Sequence, residues 1–263
     1  MEQNPRRSAR RAARALRDRL ELERRAGLDF VRRPREVAAT PPPAAPPRAP
    51  APTPAPPASV RAVSPRPAAA PVDPATLTPR GRLLLPVQQE ALECTRCPLQ
   101  DGRTQVVFGV GNPDAKLVFV GEAPGFDEDQ QGEPFVGRAG KLLDKLMEEV
   151  GIRRRDVYIT NTIKCRPPDN RVPAPAELLA CAPWLDRQLK IIVPRLVVTL
   201  GNVPTKALLK TETGIVKMRG QKTMLGSVLV IPTFHPAYLL RNPPETAKSQ
   251  ADFRLIAEEL ANL

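Results

Sequence analysis

A short apolar segment that stops abruptly at a glycine-rich turn constrains this chain more than any other feature. Residues 117–120 read LVFV, a composition typical of a strand buried on both faces of a sheet. The next five residues, GEAPG at 121–125, allow neither a helix nor a strand to continue. Glu122 therefore lies at the carboxyl end of a buried strand, where open α/β sheets bind their ligands. A solvated glutamate in an ordinary strand-to-helix turn would explain this one stretch equally well.

The same arrangement, an apolar run followed by a polar turn, recurs three times downstream. Further strands are predicted at 157–160, 196–200 and 228–231, with helices between them. Strands that alternate with helices pair in parallel through right-handed crossovers, and the helices cover both faces. The pattern predicts an α/β fold, a three-layer α/β/α sandwich with a central, mainly parallel four-stranded sheet. The polar side chains that follow the four strands should then meet at one edge: Glu122, Asn161, Asn202 and His235.

The chain divides into segments of different composition. Residues 41–74 hold 14 of the 33 prolines, mixed with alanine, and have too few large apolar side chains to bury a core. We therefore expect a basic tail at 1–40 with some capacity to form a helix, and a disordered Pro/Ala-rich linker at 41–80. One compact domain should occupy 81–263, with its first helix at 83–92.

Most of the net charge of +12 belongs to the N-terminal part. Residues 1–87 contain 17 Lys and Arg against 7 Asp and Glu, whereas residues 88–263 contain 23 against 21. The high isoelectric point therefore does not show that the compact domain binds nucleic acid. A basic tail raises non-specific affinity for polyanions, although a solvated charge run without a partner would look the same.

The sequence shows no secretory or membrane-spanning segment. The first twenty residues lack the apolar core of a secretory signal, and no apolar run approaches the length that spans a bilayer. We therefore expect a cytoplasmic protein without a membrane partner.

The four cysteines form a C-x2-C pair followed by two single residues: Cys94, Cys97, Cys165 and Cys181. Such a pair on a chain without an export signal usually binds a metal or has a redox role, and disulfides are disfavoured. One tetrathiolate site would use all four thiols, and four buried structural thiols are the plainer alternative. The spacing does not decide between zinc and an iron–sulfur cluster.

The chain contains a single histidine, His235, which follows an apolar strand and precedes Pro236. Its ring could donate a hydrogen bond to an anion that develops at the predicted ligand edge. One histidine cannot form a histidine-rich metal site.

Five features from residue 88 onward occur together in one known family. They are GEAPG at 121–125, GEPFVGRAG at 132–140, NTIKCRPP at 161–168, HPAYLLR at 235–241, and the four cysteines. In these features the chain resembles the family 4 uracil-DNA glycosylases, the iron–sulfur branch of that superfamily. The resemblance covers residues 88–263 and implies the uracil-DNA glycosylase fold for the domain expected at 81–263. It also implies a [4Fe–4S] cluster on Cys94, Cys97, Cys165 and Cys181.

The resemblance further implies a reaction and a role for each motif. The enzyme would flip uracil out of DNA and hydrolyse its N-glycosidic bond without a lyase step, leaving an abasic site for base excision repair. Matched position by position, the catalytic residues would be Glu122 and His235. The uracil site would consist of Gly121, Phe135, Asn161 and His235. The DNA contacts would be Tyr238, Leu239, Leu240 and Arg241, with one of the two leucines as the wedge.

These residue types suit the chemistry that the resemblance implies. Bond cleavage places negative charge on uracil and positive charge on deoxyribose, so a donor at O2 and a nearby carboxylate stabilise the transition state. An asparagine amide can donate to O4 of uracil but meets an amino group in cytosine. The flipped base needs an aromatic platform such as Phe135.

Two other interpretations compete with this one. A catalytically silent Fe–S member of the superfamily could bind DNA with the same sheet, although a binding module does not need Glu122, Asn161 and His235 together. A glycosylase that traps its product through a second histidine is disfavoured, because the chain has none. The tail could bind a repair or replication protein, and a monomer is the simplest expectation.

Overall fold

The computed structural model of the protein describes residues 77–263. The basic tail expected at 1–40 and most of the linker expected at 41–80 lie outside the described residues. The first described helix begins at Pro79, four residues earlier than the apolar pattern predicts. Thr78 caps this helix by accepting a hydrogen bond from the Gly81 N–H, and Pro79 suits the first helical position.

A six-stranded sheet forms the centre of the fold. Its strands are β1 (Val110–Gly111), β2 (Leu117–Gly121), β3 (Tyr158–Asn161), β4 (Leu196–Leu200), β5 (Thr223–Leu225) and β6 (Val228–Thr233). Their order across the sheet is β1-β3-β2-β4-β6-β5.

The four central strands confirm the predicted parallel sheet, but the predicted strand number is wrong. Strands β2, β3, β4 and β6 pair in parallel and correspond to the four apolar runs of the sequence. Strands β1 and β5 add an antiparallel pair at each edge. These two strands have only two and three residues, too few for a periodic apolar pattern to reveal them.

Helices connect the strands and flank the sheet. The α-helices of the described residues are α1 (Pro79–Leu92), α2 (Phe126–Gln131), α3 (Arg138–Glu148), α4 (Pro175–Ile192), α5 (Asn202–Leu209), α6 (Ile215–Met218), α7 (Pro236–Arg241) and α8 (Thr246–Ala261). Short 3₁₀ turns occur at Pro98–Asp101, Arg154–Asp156, Pro168–Asn170 and Pro243–Glu245. Within residues 77–263 no helix is both long enough and apolar enough to span a membrane.

Alternate residues of β2 pack into two separate apolar cores. Leu117 and Phe119 pack with residues of α3 and α8, whereas Val118 and Val120 pack with residues of α1 and α4. Each of these four side chains is at most 1% exposed, and burial of such a side chain contributes about 1.5–3 kcal/mol. Helices therefore cover both faces of the sheet, which confirms the three-layer α/β/α architecture.

Candidate active site

A cavity of about 560 Å³ opens at the carboxyl edge of the parallel strands. The register aligns the strand ends there, since Gly121 lies beside Asn161 and Leu200 lies beside Thr233. The lining includes the four polar side chains that the sequence places at this edge: Glu122, Asn161, Asn202 and His235. It also includes three other residues singled out from the sequence: Phe135, Tyr238 and Arg241.

Asn161 carries an unpaired amide oxygen in this cavity. The residue ends β3, is 1% exposed, and its Oδ1 has no hydrogen-bond partner. Leaving a buried polar atom unpaired costs roughly 1–3 kcal/mol. The backbone at this position is nevertheless fixed, because Lys164 Nζ donates to the Asn161 carbonyl oxygen at 2.7 Å. The backbone of Asn161 is therefore fixed, and its Oδ1 can still accept a hydrogen bond.

Phe135 packs beside Asn161 in a strained backbone conformation. Its φ is +56°, which is uncommon for a residue other than glycine, and its side chain is 6% exposed. The Phe135 ring centroid lies 5.6 Å from that of His235. Gly140 makes this conformation possible, because a Cβ at Gly140 would lie 1.8 Å from the Phe135 carbonyl oxygen.

Glu128 holds the two loops that form this part of the cavity. Its Oε2 accepts from the Gly125 N–H at 3.1 Å, and its Oε1 accepts from the N–H groups of Val136 and Gly137 at 3.0 Å each. One carboxylate thus ties the GEAPG turn to the segment that carries Phe135. This role was not predicted from the sequence, although an acidic residue three positions after the N-cap glycine of α2 is a recognisable capping signal.

His235 is a neutral imidazole with its proton on Nε2. Burial and the positive charge of Arg241 lower the pKa of His235 from 6.5 to about 4. Its Nδ1 accepts a hydrogen bond from the Ala237 N–H at 3.1 Å, so this nitrogen carries no proton. The single ring proton is therefore on Nε2, which leaves that nitrogen as a hydrogen-bond donor.

Glu122 follows β2 with its side chain half-buried at the cavity. Burial raises the pKa of its carboxyl group above the ordinary value of 4.5. Its backbone carbonyl accepts from Thr162 Oγ1 at 2.5 Å and from the Ile163 N–H at 3.2 Å. The loops after β2 and β3 are therefore joined directly, and the positions of Glu122 and Asn161 depend on each other.

The HPAYLLR segment forms α7, and the structure corrects one of its predicted DNA contacts. Leu239 is 1% exposed and belongs to the apolar core with α3 and α8, so its side chain is not available to DNA. Leu240 is 38% exposed, whereas Tyr238 and Arg241 line the cavity. Neighbouring residues of a short helix face different directions, and the sequence alone did not show which leucine faces inward.

The turn after NTIKC adds cavity residues that the sequence analysis did not single out. Pro167, Asn170 and Arg171 line the cavity, and Asn170 adopts a φ of +53°. Arg166 Nε donates to Asn170 Oδ1 at 2.8 Å, which stabilises this turn. The Asp-Asn pair directly after the NTIKCRPP motif is the signal that could have identified this turn.

A second cavity brings the four cysteines together. It is lined by Cys94, Cys97, Cys165 and Cys181, together with Arg96, Arg103, Lys164 and Trp184 among others. Two donors already reach the sulfurs. Arg103 Nη1 donates to Cys165 Sγ at 3.4 Å, and the Lys164 N–H donates to Cys181 Sγ at 3.3 Å. Burial raises the pKa of Cys165 and raises that of Cys181 to about 11.

Comparison with known proteins identifies the family. A model described as the uracil DNA glycosylase superfamily matches residues 108–261, which is more than half of the chain. The chain belongs to the uracil-DNA glycosylase superfamily. Type-4 uracil-DNA glycosylases are close relatives, as the sequence resemblance indicated.

Three of these relatives each match more than three fifths of the chain. The type-4 uracil-DNA glycosylase of Thermotoga maritima is 51% identical over 165 residues, which is 62% of this chain and 86% of the relative. That of Sulfurisphaera tokodaii is 44% identical over 181 residues, covering 65% and 82%. That of Archaeoglobus fulgidus is 43% identical over 180 residues, covering 65% and 90%.

The close approach at Gly121 gives a test of this uracil-DNA glycosylase site. An ideal Cβ at Gly121 would lie 2.3 Å from Asn161 Oδ1 and 2.6 Å from the Phe135 ring. Gly121→Ala should therefore displace both groups and slow uracil release by about 10²-fold, the cost of a misplacement near 1 Å. Gly102→Ala is the matched control, because its Cβ would meet nothing within 4 Å. Equal single-turnover rates for the two variants would contradict this geometry.

The pH dependence should report Glu122 rather than His235. His235 is neutral in this site, and because its pKa is about 4, its charge does not change between pH 6 and 7. The pKa of Glu122 is raised, so its carboxylate is lost first as the pH falls. We expect single-turnover rates that decline as the pH falls and the Glu122 carboxylate is protonated, and Glu122→Gln should remove that decline. A titration near pH 6.5 that persists in Glu122→Gln would contradict the assignment.

Proposed function

We propose that the protein is a monofunctional uracil-DNA glycosylase that flips uracil from DNA and hydrolyses its N-glycosidic bond. The observation that carries this proposal is the unpaired Oδ1 of Asn161 in a cavity that also contains the Nε2 donor of His235. The names of the type-4 relatives support the same activity. The reaction leaves an abasic site, as the first step of base excision repair requires.

The Asn161 amide would recognise the base. Its Oδ1 accepts the N3–H of uracil, while its Nδ2 donates to the O4 carbonyl. Cytosine carries an acceptor at N3 and an amino group at position 4, so the same amide would face it with both groups mismatched. The Phe135 ring would stack on the flipped base, and the loop contacts of Glu128 would keep that ring in place.

Two groups would stabilise the charges of bond cleavage. The Nε2–H of His235 donates to uracil O2, where negative charge develops, and a preorganised donor of this kind commonly supplies a large part of an enzyme's rate enhancement. The carboxylate of Glu122 would stabilise the cationic sugar or orient the attacking water. Gly121 would allow the base to approach the backbone closely.

The edge of the cavity would hold the DNA strand. Tyr238 and Arg241 line the cavity next to His235, and Leu240 is the exposed apolar residue of the same helix. Of the two leucines that the sequence offered as a wedge, Leu240 is therefore the one we propose.

We propose that the four cysteines hold a [4Fe–4S] cluster. Two observations support the fit: all four thiols line one cavity, and Arg103 and the Lys164 N–H donate to their sulfurs. No group of three or more His, Cys, Asp or Glu side chains within residues 77–263 is arranged to hold one metal ion. A cluster with one cysteine on each iron does not require the sulfurs to converge on a single ion.

The cluster would act by cross-linking the chain, since its four ligands leave no open position for chemistry. Cys94 and Cys97 follow α1, Cys165 follows the Asn161 loop, and Cys181 lies on α4. Binding would therefore fix the Asn161 loop relative to two helices. Iron and acid-labile sulfide analysis of the full-length protein tests this proposal, and a protein that is active without either would contradict it.

The remaining expectations concern the whole chain. We propose a cytoplasmic monomer in which 81–263 is the glycosylase domain, 41–80 is a linker, and 1–40 is a tail that binds a repair or replication protein. Deletion of residues 1–76 should leave uracil release unchanged and should weaken capture of that partner. Unchanged partner capture would contradict a role for the tail.

The activity test uses the full-length protein with its cluster and an oligonucleotide that contains one uracil. Alkali-labile cleavage should appear at the uracil position and not in a matched oligonucleotide with thymine or cytosine. Binding without release of uracil would favour the catalytically silent alternative, in which the same edge of the sheet only binds DNA.

A further inference from the structure

Trp184 has a buried indole N–H with no hydrogen-bond partner. It is the one tryptophan of the chain, lies in α4 and is 3% exposed. In the described part of the chain, its Nε1 and the Oδ1 of Asn161 are the two buried side-chain atoms without a partner. An indole N–H can only donate, and leaving it unpaired in the interior costs roughly 1–3 kcal/mol. Asn161 has its partner in the proposed substrate, so Trp184 requires a different explanation.

The surroundings of Trp184 indicate where its partner binds. The ring lines the cavity formed by the four cysteines. Cys181 precedes Trp184 by three positions on α4, so the two side chains are neighbours on one helix face. The guanidinium groups of Arg96 and Arg187 lie over the indole ring, at 4.7 and 5.3 Å from its centroid. Arg187 is paired with Glu90, whereas Arg96 lines the cysteine cavity, so one positive charge and an unpaired donor beside four thiols form an environment suited to an anionic sulfur group.

We propose that the Trp184 N–H donates a hydrogen bond to an inorganic sulfide of the cluster, because none of the four cysteine sulfurs accepts from it, and that this bond raises the reduction potential of the cluster. This inference rests on the proposed cluster, because the donor would otherwise lack an acceptor. Arg103 and the Lys164 N–H already donate to Cys165 and Cys181, so Trp184 would be the third donor around the site. Hydrogen bonds to the sulfurs favour the more negative, reduced state, which is why they shift cluster potentials.

Trp184 would thus be a positioning and tuning residue rather than a catalytic residue. It lies in the core with α1 and α4, on the side of the sheet where Val118 and Val120 point. It does not line the uracil cavity. Its loss should therefore change the redox behaviour of the cluster much more than the rate of uracil release.

The first experiment compares Trp184→Phe with the wild type as full-length proteins that contain their clusters. The substitution removes the N–H and keeps an aromatic ring. We expect full iron and sulfide content and an approximately tenfold smaller equilibrium constant for one-electron reduction, which corresponds to a potential about 59 mV lower. An unchanged potential at full iron content would overturn the inference.

Tyr158→Phe is the matched control for this comparison. Tyr158 lies in the same apolar core and is 3% exposed, and its hydroxyl accepts from Gln188 Nε2 at 3.2 Å. The substitution also deletes one polar atom from a buried aromatic residue, but that residue does not line the cysteine cavity. The reduction potential of the cluster in Tyr158→Phe should equal that of the wild type. A shift as large as the one expected for Trp184→Phe would overturn the inference.

A second measurement uses the wild type and decides the matter even if Trp184→Phe fails to fold. Because the chain has one tryptophan, incorporation of ¹⁵N-indole tryptophan labels Nε1 alone. Pulsed electron paramagnetic resonance of the paramagnetic cluster should detect a coupling to this nitrogen, and its absence would overturn the inference. If the wild type contains no iron or sulfide, the cluster proposal itself fails, which is a distinct outcome.

Discussion

His235→Ala is expected to slow uracil release by about 10²–10³-fold, the cost of removing one preorganised donor to a developing anion. In the proposed mechanism the donor would act mainly in the transition state, because the charge on O2 grows as the glycosidic bond lengthens. The loss should therefore appear in kcat, while the Kd for uracil-containing DNA should change little. Single-turnover cleavage together with equilibrium binding on the same oligonucleotide measures both quantities.

The His235→Ala result is informative only if the variant folds and keeps its cluster. The absorption spectrum of the cluster in His235→Ala should match the wild type, and the unfolding transition should move only by about 1 kcal/mol, the cost of losing the hydrogen bond from the Ala237 N–H that caps α7. A variant that folds normally and retains a rate within a few fold of the wild type would remove His235 from the transition state. His235 would then contribute to DNA binding and not to cleavage of the glycosidic bond.

Asn161→Asp is expected to lower the rate on uracil by about 10³-fold, because the site would lose its donor to O4 and would place a second acceptor there. The change is nearly isosteric, so Gly121 and Phe135 should keep their positions. The rate ratio of uracil to cytosine should narrow, since a carboxylate accepts from the amino group of cytosine. Single-turnover rates on two oligonucleotides that differ only in the target base measure the ratio.

Asn202→Asp offers a matched comparison at the same edge of the sheet. The Oδ1 of Asn202 already accepts from the Ile215 N–H at 2.7 Å, and an aspartate preserves that bond. Asn202→Asp introduces the same charge and should therefore lower the rate of uracil release much less than Asn161→Asp does. If both variants lost activity equally, negative charge in the cavity would explain the result, and the specific role of the Asn161 amide would be contradicted.

The sequence predicted the parts of the fold that depend on long apolar runs and on strand ends. The runs at 117–120 and 196–200 are buried strands, and the polar residues that follow the four central strands line one cavity. The edge strand β1 was missed because its two residues pair with β3, which is distant in sequence, whereas β5 pairs with the adjacent β6 but has only three residues. No local pattern in two or three residues records such a neighbour.

The finer properties of the site depend on tertiary contacts that no pattern contains. The sequence indicated a useful donor at His235, but the tautomer follows from the Ala237 N–H and the lowered pKa from burial and Arg241. The choice of Leu240 over Leu239 follows from which side of α7 packs on the core. The bonds from the Val136 and Gly137 N–H groups to the Glu128 carboxylate arise because the segment that carries Phe135 folds back onto α2, and no local sequence pattern predicts that contact.

The protonation of His235 has a consequence for the fate of the leaving base. With Nδ1 occupied by a backbone N–H and a pKa of about 4, the imidazole has no spare proton to transfer at neutral pH. If His235 acts as proposed, we expect the base to depart as uracilate, stabilised by a hydrogen bond whose proton stays on the ring. Uracilate would then take up a proton from water only after the glycosidic bond has broken, and no proton transfer would accompany bond cleavage.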